Sequence, residues 1–163
     1  SETTRGYLAI AAGAAFLDRT AEAFVGRAFF RGEILALCGS SALAGLGLLL
    51  VGTSRLGLPL PETAGLHVAF MGGLGLGVLT VFAIAGLLHT HQPLDLSRLT
   101  RMALVCLALS VGLRIAPDLG VDMGSRSAHG LAGFVWAAGF LLWLTAYRRP
   151  LSDPVTLNKA EPC

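Results

Sequence analysis

The stretch GLHVAFMGGLGLGVLTVFAIAGLLHTHQPL, Gly65–Leu94, decides the fold. From Thr63 to Leu88 the chain runs 26 residues without one charged side chain. A helix needs about 20 apolar residues to cross a hydrocarbon core of about 30 Å. The stretch therefore reads as a transmembrane helix, and the rest of the chain agrees. Hydrophobic residues make up 54% of the 163 positions and charged residues 13%, with a mean hydropathy of +0.70. A soluble domain carries about 25% charged residues. This composition excludes a disordered chain, a nucleic-acid module and most soluble enzymes. The net charge of +2 is too small to imply a polyanionic partner.

Three further apolar stretches have spanning length. Gly32–Gly52 is interrupted only by Glu33 and two serines. Leu99–Pro117 has Arg101 near one end and Arg114 near the other. Ser127–Tyr147 holds no charge. A fifth stretch, Gly6–Arg27, has an uninterrupted apolar run of only 12 residues, Gly6–Leu17, followed at once by Asp18, Arg19 and Glu22. It reads as a fifth span that ends near these charges, with an interfacial helix as the alternative. The expected architecture is an all-α, polytopic transmembrane helical bundle. It has one domain, residues 1–147, with spans near 6–27, 32–52, 63–88, 99–117 and 127–147, and a cytoplasmic tail, 148–163.

The links contain Pro59, Pro61, Pro93, Gly120 and Gly124 and are short, so neighbouring spans should be antiparallel. Alternation would put Arg19, Arg27, Arg31, Arg98, Arg101, Arg148, Arg149 and Lys159 on one side. Arg5, Arg55, Arg114 and Arg126 would lie on the other. The richer side should be cytoplasmic. That sets the C-terminus inside and, with five spans, the N-terminus outside. Tyr147, followed by two arginines, reads as an interface anchor, with Trp143 one turn deeper. The tail beyond it has three prolines and is expected to be extended or disordered.

Four histidines could serve as metal or haem ligands. His67 and His89 are 22 residues apart on one helix, about 33 Å at 1.5 Å per residue, so they cannot share one group. His67 and His129 both sit at the outer ends of their helices. At similar depth on different helices, they could face each other as the two axial ligands of a haem. The glycines beside them, Gly65, Gly72, Gly73, Gly75, Gly130 and Gly133, would make room for a macrocycle or equally let helices touch. The bland alternative is that both histidines reach toward headgroups. At the cytoplasmic end, His89 and His91 with Cys38 make a conceivable copper site. The alternative there is a polar turn stopping before Pro93. Gly73 and Gly77 form a GxxxG pair, a generic packing motif. Cys106 reads as a small buried residue, Met71 as packing, and Ser40 and Ser41 as bonding backbone carbonyls or a neighbouring helix. No nucleophile–base constellation, phosphate loop or dinucleotide fingerprint is present.

Gly65–Leu94 resembles the NnrS family, multi-spanning bacterial membrane proteins that carry haem and copper and are linked to nitric oxide metabolism. In that family a histidine opens a glycine-rich span, which ends on a Gly-His-Thr-Gly-Arg-Pro-like exit. His67 matches the opening histidine; His89, Thr90 and Pro93 match the exit. Gly32–Gly52 looks like the preceding span and His129–Pro154 like the last span and tail. The resemblance covers roughly residues 30–154, the C-terminal part of usual members, and is weak over 1–29. The exit glycine and arginine are replaced by His91 and Gln92, and Cys38 stands where a histidine is frequent.

The resemblance implies a protein of the bacterial cytoplasmic membrane that binds haem b, with copper as a further cofactor, in electron transfer or nitric oxide response. Turnover of an organic substrate is not expected. The alternative is a cofactor-free accessory subunit of a larger membrane redox complex. Either way the expected partners are the lipid bilayer and other membrane subunits, with no nucleic acid.

Overall fold

The computed structural model describes residues 1–24, 26–121 and 124–153. Among these it is all-helical, without a strand. The main helices are α1 (Glu2–Asp18), α2 (Gly32–Arg55), α3 (Glu62–His89), α4 (Arg98–Ile115) and α5 (Ser125–Ser152). Tighter 3₁₀ turns, Arg19–Ala23 and Gly26–Phe30, link α1 to α2. Lys159 and Cys163 lie outside the described residues.

Among the described residues three helices are long and apolar enough to cross a membrane: α2, α3 and Arg126–Ser152 of α5. The other two fall short for different reasons. α1 has 17 residues, because the charges at Asp18, Arg19 and Glu22 end its apolar run. The 18 residues of α4 include Arg98, Arg101 and Arg114. The boundaries expected at 6–27 and 127–147 shift accordingly. α1 begins at Glu2 and stops at Asp18, and α5 continues past Tyr147 to Ser152, so residues 148–152 are helical despite Pro150.

Local chemistry sets several ends. Ser1 and Ser97 cap α1 and α4, each hydroxyl accepting from the N–H three residues on at 3.2 Å. α3 ends in a Schellman motif: the Gln92 N–H donates to the Leu87 carbonyl at 2.9 Å and the His91 N–H to the Leu88 carbonyl at 3.1 Å. His91 takes the left-handed position, φ 53°, that glycine normally fills. It stands where the resembled exit motif has glycine. Replacing His91 by glycine should therefore stabilise the fold by about 0.5–1 kcal/mol. A rise in melting temperature in detergent would check this; a fall would mean the imidazole makes a contact worth more than the backbone strain.

Successive helices are antiparallel and pack through glycines. Gly6 and Gly13 of α1 sit against Gly52 and Gly45 of α2. Gly47 of α2 meets Gly65 and Ala69 of α3, and Gly73 meets Ala44. Between Val68 and Gly75, immediately after His67, α3 widens into π-helix. Such turns are rare and frequently mark functional sites. The buried core lies where α3, α4 and α5 meet, around Leu79, Ala83, Ala103 and Leu107.

Tyr147 is not an interface anchor. It is 3% exposed, its ring lies over Gly86, and its hydroxyl donates to the Ala83 carbonyl at 2.8 Å. Trp143 stacks on it with ring centroids 5.2 Å apart. Tyr147→Phe should cost about 1 kcal/mol, since the carbonyl it leaves belongs to a helix. Gly86→Ala should cost more, because a Cβ there would stand 2.6 Å from the ring. Thermal melts of the two variants would test this order.

Candidate functional site

α3 and α4 run antiparallel, so the start of one lies beside the end of the other. This brings His67 and Arg114 together, 47 positions apart in sequence, with Arg114 Nε donating to His67 Nε2 at 3.1 Å. Both residues are half-buried. Guanidinium groups are donors only, so Nε2 must be the acceptor and the imidazole is neutral with its proton on Nδ1. Nδ1 is buried and has no hydrogen-bond partner among the described residues. Asp118 and His129 lie within electrostatic reach of the ring. At this end of the bundle Arg55 also pairs with Glu62 at 2.5 Å.

The arrangement can hold a proton, pair an anion with Arg114, or ligate. A histidine that ligates through Nε2 commonly carries its proton on Nδ1, aimed at a backbone carbonyl or carboxylate. The Arg114 hydrogen bond gives His67 that tautomer, and its buried Nδ1–H is left without a partner, so the donor fits an iron-porphyrin in its chemistry. Arg114 must leave Nε2 for any metal to take the lone pair. The glycines beside His67 do not leave a slot: Gly65 and Gly73 are filled by α2, while Gly130 and Gly133 beside His129 are open on the outer face. Two apolar cavities, of 510 and 540 Å³, lie along α2, and histidine lines neither of them.

The second expected constellation is not gathered. His89 and His91 are exposed at the end of α3, whereas the Cys38 thiol points toward the Thr20 carbonyl at 3.9 Å. Among the described residues no three His, Cys, Asp or Glu side chains are placed to hold one metal ion. Cys106 is half-buried. The Ser40 hydroxyl bonds the Leu37 carbonyl at 2.9 Å, as expected of a serine within a span.

Sequence reading missed Arg114 as a site residue. A signal was available: an arginine closing an apolar span usually faces the bundle interior, and α4 ends level with the start of α3. Among the described residues the buried indole N–H groups of Trp136 and Trp143 also have no hydrogen-bond partner.

The family model described as NnrS protein matches residues 2–154. The chain belongs to the NnrS family. The match extends to residues 2–29, where the sequence resemblance was weak, so α1 is part of the NnrS pattern. No curated protein and no solved structure matches the chain.

Proposed function

We propose that this NnrS-family chain is a five-span protein of the bacterial cytoplasmic membrane that binds haem b at its outer end, in electron transfer or nitric oxide response. One observation carries the reading: a half-buried, neutral His67 whose Nε2 accepts from Arg114, so that movement of one side chain would free a ligating atom. Ionisable groups at such depth are retained for function by default. The bound group would supply one-electron chemistry. His67 and His129 would hold the iron, and Arg114 would set which partner Nε2 takes. Antiparallel neighbours from α1 to α5 support five crossings, with the arginine-rich ends and the C-terminus cytoplasmic.

Reduced-minus-oxidised visible spectra of protein purified in mild detergent test this. The expected result is a sharp b-type band in the wild type that is lost in both His67→Ala and His129→Ala. A band unchanged in both variants would overturn the ligand assignment.

A second reading, a cofactor-free accessory subunit of a membrane redox complex, is favoured by the outer face of α5. Phe134, Leu141 and Leu144 are exposed there beside the open Gly130 and Gly133. A flat spectrum with larger subunits co-purifying would support it.

A further inference from the structure

An apolar groove and a smaller polar pocket meet at two shared lining residues, Ser40 and Ser41. The 510 Å³ groove runs between α1, α2 and α3, with walls that include Phe16, Ala44, Leu74 and Val78. Ser40 and Ser41 line its end and also line a 270 Å³ pocket whose other walls include Arg19, Glu22 and Cys38. Two serines thus stand between an apolar groove and a pocket that holds one cation and one anion. Among the described residues neither Arg19 nor Glu22 forms an ion pair or a side-chain hydrogen bond, and the Ser41 hydroxyl has no partner. The rim belongs to the link between α1 and α2. That link also carries the exposed Phe24 and Phe30 beside Arg27 and Arg31, apolar rings among cations. Such a mixture suits the boundary between headgroups and acyl chains.

We infer that this site holds one zwitterionic phospholipid with a primary-amine headgroup. Its phosphate pairs with Arg19, its ammonium donates to Glu22, an ester carbonyl accepts from the Ser41 hydroxyl, and one acyl chain fills the groove. The charge pattern selects the ligand. A purely anionic headgroup would leave Glu22 repelled. A quaternary amine has no N–H to donate. A neutral prenylated ring would leave both charges unmatched. The inference does not depend on haem binding, since no residue of the site is shared with His67, Arg114 or His129.

Native mass spectrometry of the detergent-solubilised chain, titrated with phosphatidylethanolamine, phosphatidylglycerol and phosphatidylcholine of matched acyl chains, tests it. The expected result is preferential retention of one phosphatidylethanolamine. Arg19→Gln should weaken all three about tenfold, the loss of one charge-assisted contact. Glu22→Gln should erase the preference for the primary amine and leave phosphatidylglycerol bound as well or better. Both side chains are exposed, so both variants should fold. Ser41→Phe, which fills the junction, should reduce binding of all three. Equal binding of the three lipids by wild type, or unchanged binding in Arg19→Gln, overturns the proposal. So does a bound prenylated quinone that none of the three displaces.

Discussion

Gly47→Val is expected to lower the folded yield in detergent sharply and to drop the melting temperature further than any other single small-residue change in the chain. A Cβ at Gly47 would meet the backbone nitrogen of Ala69 and, at 2.6 Å, the carbonyl oxygen of Gly65. In return, a Cβ at Gly65 would stand 2.8 Å from both the Gly47 carbonyl and the Val51 nitrogen. The two helix backbones are in direct contact, so no side-chain rotamer can relieve the clash and α2 and α3 must move apart. Overpacking of this kind costs about 1–3 kcal/mol and sometimes more. Parting these helices also strips contact from Gly73, packed on Ala44, and displaces His67, two residues beyond Gly65. Gly133→Val is the control: a Cβ there meets nothing within 4 Å, and the change should stay within about 0.5 kcal/mol. Scanning fluorimetry on Trp136 and Trp143 reads both. Equal melting of the two variants would mean that the α2–α3 contact is not close enough to matter.

The membrane character and the antiparallel order were legible because they depend on local quantities: apolar run length, charge position and link length. The GxxxG pair was legible for the same reason, and Gly73 and Gly77 both face α2, against Ala44 and Ser40. What could not be read was which faces meet. Cys38 shares an end of the bundle with His89 and His91, but rotation about α2 turns its thiol toward Thr20. Depth alone does not set that angle. The π-helical turn after His67 compounds this, because it shifts the angular phase of everything that follows on α3. Tyr147 misled for another reason. A tyrosine followed by two arginines has the composition of an interface anchor. Yet α5 runs on to Ser152, and Gly86 on the neighbouring helix leaves a flat seat for the ring. His91 shows the opposite case: its role at the end of α3 is backbone geometry, which a motif comparison exposes only as a glycine replaced.

His67→Leu should destabilise the protein more than Arg114→Leu, and the double variant should recover much of the loss. The asymmetry follows from what each change leaves behind. Without His67, the Arg114 guanidinium loses the acceptor it holds at 3.1 Å and remains a cation at the end of an apolar span. Among the described residues it forms no carboxylate ion pair, and Asp118, the nearby acid, would have to move to supply one. Without Arg114, what remains is a neutral ring, far cheaper to keep half-buried. Hydrogen bonds to charged groups contribute about 1.5–3 kcal/mol, so a double-mutant cycle should return a coupling of that order. Thermal or denaturant melts of the four proteins in one detergent supply the cycle. Additive losses would mean that the two side chains do not act together and that Arg114 has no part in what His67 binds. A large coupling would make Arg114 the group any ligand of His67 must displace. Arg114→Leu should then alter occupancy of the His67 site without removing the ligating atom, and Arg114→Lys should fall between it and wild type, keeping the charge but losing the planar fork.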